Sequence, residues 1–85
     1  MAEVIIYTKD YCPYCVKAKK LLEIKKQQFK EIDITHDPDE AVKLVEKAGG
    51  RRTVPQIFIN GQHVGGCDDL YALNEKGDLD RLLAS

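Results

Sequence analysis

The fold is decided by the stretch VIIYTKDYCPYC, residues 4–15. Its first four residues are apolar without alternation, which is typical of a strand covered on both faces. Its last four residues lead directly into residues 16–26, where apolar residues recur with helical spacing among five lysines. The stretch therefore predicts a strand, a short loop and a helix, with Pro13 at the first helical position, where its missing N–H is tolerated.

The spacing of Cys12 and Cys15 indicates redox chemistry. Two thiols three residues apart at the start of a helix can close a disulfide with little backbone movement. The first thiol also meets the partial positive charge of the helix N-terminus, which favours the thiolate, and the thiolate is the species that attacks disulfides. We therefore predict that Cys12 is the nucleophile and that Cys15, one turn further into the helix, resolves the mixed disulfide.

Length and composition restrict the class of protein. Eighty-five residues predict a single domain over residues 1–85. Thirteen Lys and Arg against fourteen Asp and Glu give a formal net charge of −1, which argues against an electrostatic nucleic-acid binder. Three cysteines are too few for a secreted disulfide framework, and no apolar stretch is long enough for a membrane span. We expect a cytoplasmic monomer with no nucleic-acid or membrane partner.

The remaining residues predict an α/β fold in the order βαβαββα. Asp37 is expected to cap the second helix, Gly49-Gly50 to end it, Asn60-Gly61 to form a hairpin turn, and Gly77 to interrupt the last helix. The elements after the first helix are predicted as a strand over residues 29–34, a helix over 38–48, strands over 57–59 and 63–64, and a helical region over 68–83. The first βαβ unit should be parallel and the hairpin antiparallel. The expected architecture is thioredoxin-like, a four-stranded mixed sheet flanked by helices.

Three motifs together resemble the dithiol glutaredoxins. They are CPYC at residues 12–15, TVPQIF at residues 53–58 and GGCDD at residues 65–69. The resemblance covers nearly the whole chain, and the motifs have the order of that family. Thioredoxins are longer and typically carry WCGPC, whereas Tyr11 precedes the pair here and the chain has no Trp. Monothiol glutaredoxins have Ser where this chain has Cys15.

The resemblance implies a glutathione-dependent thiol–disulfide oxidoreductase without a tightly bound cofactor. Cys12 would attack protein disulfides and protein–glutathione mixed disulfides, and reduced glutathione would be the co-substrate that recycles the Cys12–Cys15 disulfide. The protein partners would be disulfide-containing or glutathionylated proteins, such as ribonucleotide reductase or the reductases of sulfur assimilation.

The resemblance also implies where glutathione binds. A cis peptide bond before Pro55 would leave the backbone of Val54 free to pair with an extended peptide. The N–H groups of the helix after Gly66 suit the α-carboxylate of the γ-glutamyl group. Asp68 would meet the ammonium of that group, and Asp69 would do the same or cap the helix. The complete expected surface consists of Lys9, Tyr14, Thr53, Val54, Pro55, Gln56, Gly66, Cys67, Asp68 and Asp69.

The other end of the ligand gives weaker expectations. By family resemblance, Lys9 and Gln56 would face the glycyl carboxylate of glutathione, and Lys9 could instead add positive charge near the thiolate. Arg51 or Arg52 could help to bind this carboxylate, but both are interpreted as solvated loop residues. Cys67 is interpreted as a small buried residue at a helix start, with oxidation or adduct formation beside the ligand as the alternative.

Three other readings of the cysteine pair remain. Half of a zinc site is disfavoured, because the only further candidate ligands are Cys67, His36 and His63, without a second paired motif, so we predict no metal site and two ordinary surface histidines. A thioredoxin-like electron carrier recycled by a flavoprotein reductase is the nearest alternative. An iron–sulfur carrier, a dimer that bridges a cluster through Cys12 and glutathione, is the third, and by resemblance Pro13-Tyr14 disfavours it.

Overall fold

A mixed sheet forms the centre of the molecule. The computed structural model describes residues 2–84, and within them the strands are β1 (Val4–Thr8), β2 (Lys30–Asp33), β3 (Gln56–Ile59) and β4 (Gln62–Gly65). Their order in the sheet is β2-β1-β3-β4. β1 is parallel to β2 and antiparallel to β3, and β3 is antiparallel to β4. The predicted four-stranded mixed sheet is confirmed.

The helices begin and end where local residues require it. They are α1 (Pro13–Ile24), α2 (Pro38–Lys47), α3 (Cys67–Glu75) and α4 (Asp78–Ala84). The Asp37 carboxylate accepts the backbone N–H of Glu40 at 3.1 Å and so caps α2 as predicted. Gly77, with φ of +79°, separates α3 from α4, so the predicted interruption is a complete break. In the described part of the chain, no helix is both long and apolar enough to cross a bilayer.

Both faces of the sheet are covered, as the unbroken apolar run of β1 predicts. Successive side chains of a strand point to opposite faces. Ile6 therefore packs on one face with residues of α1, α3 and α4, such as Leu22 and Leu70, all three with 0% exposure. Tyr7 packs on the other face with Ile34 and with residues of α2. The larger core lies under α1 and α3, and this core fixes the positions at which both helices begin.

The strand directions bring three loops together at one end of the strands. Tyr7 near the end of β1 lies beside Gln56 at the start of β3. Ile57 in β3 lies beside Gly65 at the end of β4. The loop after β1, the loop before β3 and the turn after β4 therefore meet, and these loops carry the three motifs.

Candidate active site

The cysteine pair lies at the start of α1. Cys12 is the N-cap residue, Cys15 lies in the first turn, and the two are joined by a disulfide with their Cα atoms 5.1 Å apart. Cys12 is partly exposed, whereas only 2% of Cys15 is exposed. The backbone N–H of Cys15 also donates to the Cys12 sulfur at 3.1 Å. An incoming group can therefore reach the sulfur of Cys12 but not that of Cys15.

The residue before the pair was not identified from the sequence. Tyr11 has a positive φ of 56°, which turns its side chain fully into solvent next to Cys12. Tyr14 is also well exposed, so two aromatic rings flank the disulfide. No periodicity singles out Tyr11, since its exposure follows from the backbone turn.

The loop before β3 lies against the cysteine pair. The Val54–Pro55 peptide bond is cis, as predicted. The Val54 carbonyl oxygen lies 3.8 Å from the Cys12 sulfur. Between this loop and the start of α3 is a groove of about 260 Å³, which we call the central groove. It is lined by Tyr14, Arg51, Thr53, Val54, Pro55, Gly66, Cys67 and Asp68.

The start of α3 forms the far wall of the central groove. The Asp69 carboxylate accepts the backbone N–H of Gly66 at 2.9 Å and a guanidinium N–H of Arg51 at 2.8 Å. These two donors, Arg51 first, lower the pKa of Asp69. Gly65 has φ of +122°, and a Cβ there would overlap the Asp69 carboxylate. Of the two roles expected for Asp69, this conformation has the capping role, while Asp68 is exposed on the groove.

Arg51 is an exposed loop residue, as interpreted, and it also forms an ion pair. Its ion pair with Asp69 holds it beside the central groove, and it also lines a second, neighbouring groove of about 480 Å³. This second groove, here called the α2 groove, is lined by the cations Lys9, Arg51 and Arg52, by Glu46, by Val54 and by apolar residues mainly of α2. Lys9 thus lies in the α2 groove, which is joined to the central groove through Arg51 and Val54.

Gln56 lies behind the loop and lines neither groove. It is fully buried, and its amide N–H groups donate to the Thr53 carbonyl at 3.0 Å and to the Thr53 hydroxyl at 3.2 Å. Its amide oxygen is 2.7 Å from Nε2 of His63. The expected contact of Gln56 with a ligand carboxylate stays a prediction, and it would require these bonds to break. His63 is not the ordinary surface residue that we predicted, whereas His36 is exposed.

Cys67 is the first residue of α3 and the free cysteine of the described chain. It is 5% exposed and belongs to the core cluster that contains Leu70. Burial raises the pKa of its thiol, against a smaller opposing effect of Lys17. Its interpretation as a small buried residue at a helix start is confirmed. Within residues 2–84, no three His, Cys, Asp or Glu side chains are grouped so that they could hold a metal ion.

Several known proteins are similar to this chain in sequence and structure. A family model described as Glutaredoxin matches residues 4–64. Glutaredoxin 3 of Escherichia coli (strain K12) is 53% identical over 83 residues, which are 98% of this chain and 99% of that protein. The solution structure of glutaredoxin from Brucella melitensis matches with a TM-score of 0.87 at 54% identity and covers 98% of this chain and 89% of that one. A crystal structure of a buckwheat glutaredoxin–glutathione complex matches with a TM-score of 0.89 at 31% identity and covers 98% and 77%. The thioredoxin-like fold is therefore confirmed.

Proposed function

This chain belongs to the glutaredoxin family and is a thiol–disulfide oxidoreductase, and we propose that its reductant is glutathione. The observation that carries the proposal is the central groove. It runs from Tyr14 beside the accessible sulfur, along the cis-proline loop, to the start of α3. A structural neighbour of this chain is a glutaredoxin–glutathione complex. The cytosol is the proposed setting, because its glutathione pool keeps thiols reduced.

The γ-glutamyl end of glutathione would bind at the start of α3. The first backbone N–H groups of a helix have no partner within the helix and favour an anion, here the α-carboxylate. Asp68 is exposed on the same wall and would meet the ammonium group. Asp69 accepts from Gly66 and Arg51, so it would shape this wall without contacting the ligand. The middle of the tripeptide would pair with the backbone of Val54.

The glycyl carboxylate would point to the α2 groove. Lys9 and Arg52 are exposed there, and the Arg51 guanidinium lies between the two grooves. Glu46 also lines the α2 groove. The groove therefore has three positive charges and one negative charge, and its net charge is positive. A carboxylate near three cations is favoured electrostatically.

The reaction would begin at Cys12. Its thiolate attacks one sulfur of a substrate disulfide, that bond breaks, and the other sulfur leaves as a thiolate. The backbone N–H of Cys15 lies 3.1 Å from the Cys12 sulfur and would stabilise negative charge there. For a protein disulfide, the Cys15 thiolate then attacks Cys12, which releases the reduced protein and leaves the Cys12–Cys15 disulfide.

Two molecules of glutathione would complete the cycle. The first attacks the Cys12 sulfur, because Cys15 is buried, and frees the Cys15 thiol. The second attacks the sulfur of the bound glutathione, so that oxidised glutathione leaves and the Cys12 thiolate is restored. A protein–glutathione mixed disulfide needs only this second step after Cys12 has displaced the protein thiol.

The test is a coupled assay that measures NADPH consumption with two reducing systems. We expect turnover with glutathione and glutathione reductase, little with a thioredoxin reductase, and none in either system for Cys12→Ala. Turnover that requires the thioredoxin reductase instead would support the flavoprotein-recycled carrier and contradict the proposal.

A further inference from the structure

A chain of hydrogen bonds runs behind the loop that carries the cis proline. It links three residues in the order His63, Gln56 and Thr53, with distances of 2.7 Å from His63 to Gln56, 3.0 Å from Gln56 to the Thr53 carbonyl and 3.2 Å from Gln56 to the Thr53 hydroxyl. We propose that Gln56 and His63 are positioning residues that hold this loop in the shape that binds glutathione. The inference rests on the proposed function, since glutathione is the ligand whose binding it concerns.

The direction of these bonds follows from the chemistry of Thr53. A backbone carbonyl can only accept, so the amino group of the Gln56 amide faces Thr53. The amide oxygen of Gln56 therefore faces His63, and an oxygen can only accept as well. Nε2 of His63 must carry the proton. The donors thus point from His63 to Gln56 and from Gln56 to Thr53.

The chain of hydrogen bonds is held in place at both of its ends. The ring of His63 lies 5.0 Å from that of Phe58, and the two residues are cross-strand partners in β3 and β4. At the other end, Gln56 binds both the carbonyl and the hydroxyl of Thr53, which precedes Val54. Val54 places its own carbonyl 3.8 Å from the Cys12 sulfur. The conformation of the loop beside the nucleophile therefore depends on Gln56.

Loss of the His63 donor would disturb this arrangement. The amide oxygen of Gln56 is fully buried, and a buried acceptor without a partner is costly. The amide would rotate towards another donor, and its bonds to Thr53 would weaken. Glutathione binding would suffer, whereas the chemistry at Cys12 would not, because neither Gln56 nor His63 lines the central groove.

The kinetic test compares His63→Phe, His63→Gln and, as a matched control, His36→Phe at the exposed histidine. With a glutathionylated peptide as substrate, we expect His63→Phe to raise KM for glutathione roughly three- to tenfold, the loss of about one hydrogen bond, with kcat within about twofold. His63→Gln retains an N–H donor and should restore most of the binding, and His36→Phe should match the wild type.

Other kinetic outcomes would overturn the proposal. An unchanged KM in His63→Phe, in a wild type that uses glutathione, overturns the inference and leaves the proposed function intact. A parallel loss of kcat and of thermal stability, without a specific effect on KM, would mean a purely structural role and would also overturn it. A wild type that does not use glutathione at all overturns the proposed function and the inference with it.

A second measurement needs no variant. Long-range ¹H–¹⁵N correlation spectra of the unmodified protein, at a pH where the ring is neutral, should show the proton of His63 on Nε2. His36, which is exposed, serves as the internal reference for a mixture of tautomers. A His63 ring protonated on Nδ1 instead would overturn the proposed direction of the bonds.

Discussion

Cys12 and Cys67 both lie at helix starts near the central groove, but only the surroundings of Cys12 favour a reactive thiol. Cys12 caps α1, and Cys67 is the first residue of α3. Cys12 is partly exposed and disulfide-bonded, whereas Cys67 is 5% exposed, free, and has a thiol pKa raised by burial. The positive end of a helix is therefore not sufficient for a reactive thiol, and access to solvent decides between the two.

The charges at the two helix starts differ in the same sense. The first turn of α1 contains no acidic residue, so its N-terminal N–H groups remain for the sulfur of Cys12. The first turn of α3 contains Asp68 and Asp69, and the second of these binds the N-cap backbone. Carboxylates at a helix N-terminus offset part of its positive charge, so the start of α3 favours a thiolate at Cys67 less than the start of α1 favours one at Cys12. The two helix starts therefore differ in how strongly they favour a cysteine thiolate, and α1 favours it more.

The largest expected effect is that of removing the reactive thiol. Cys12→Ser should lower every thiol-transfer activity by at least about a thousandfold, because loss of a nucleophile removes the covalent route. The measurement is the glutathione-coupled assay, and the control is Cys67→Ser, which should keep its activity within about twofold because the buried, protonated Cys67 thiol takes no part in thiol transfer. If Cys67→Ser were the inactive variant, the comparison would be reversed.

Removing the buried partner of Cys12 should separate two activities. Cys15→Ser should retain reduction of a glutathionylated peptide, since in the proposed mechanism glutathione itself would release the intermediate at Cys12. It should lose reduction of a protein disulfide by roughly a hundredfold, because the variant lacks the thiol that resolves the mixed disulfide within the enzyme. Insulin reduction and the peptide assay measure the two activities. Loss of both would assign Cys15 a role in the first attack.

Chemical modification tests the difference in access directly. In the reduced protein at neutral pH, Cys67 should react with iodoacetamide at least about a hundredfold more slowly than Cys12, because it is buried and stays protonated. Mass spectrometry of tryptic peptides over time gives both rates in one sample. In Cys12→Ser, oxidised glutathione should also leave Cys67 unmodified. A glutathione adduct on Cys67 would revive the alternative in which this thiol is redox-active.

The smallest effect concerns the carboxylate that binds the start of α3. The pKa of Asp69 is lowered in the folded protein, so its contribution to stability is complete above the ordinary value of 3.8 and is lost as the pH falls through the lower folded value. Asp69→Asn should therefore destabilise the protein by about 0.5–1 kcal/mol at pH 7 and by less in acid. Urea unfolding at pH 7 and at acid pH measures this difference, with exposed Asp68→Asn as the control. An equal loss at both pH values would contradict the assignment.

Periodicity and turn residues were enough to predict the strands, the helices and the hairpin, because each depends on nearby residues. The convergence of the three motifs was implied only by the family resemblance, because the sequence predicted a mixed sheet without its strand order. The polar contacts beside and behind the central groove could not be predicted from the sequence. Arg51 reaches Asp69 across 18 positions and His63 reaches Gln56 across 7, and such pairs leave no periodic trace in a sequence. The burial of Cys67 likewise depends on packing against the core.

The disulfide closes within a single turn of α1, with the two Cα atoms 5.1 Å apart. Opening or closing so small a ring requires little rearrangement of the surrounding helix. The oxidised and reduced states should therefore present nearly the same active-site surface to both substrates. The electron donor and the electron acceptor would then bind in turn at one shared site instead of at two separate sites. Turnover would follow ping-pong kinetics. A large excess of either substrate would inhibit the reaction of the enzyme with the other.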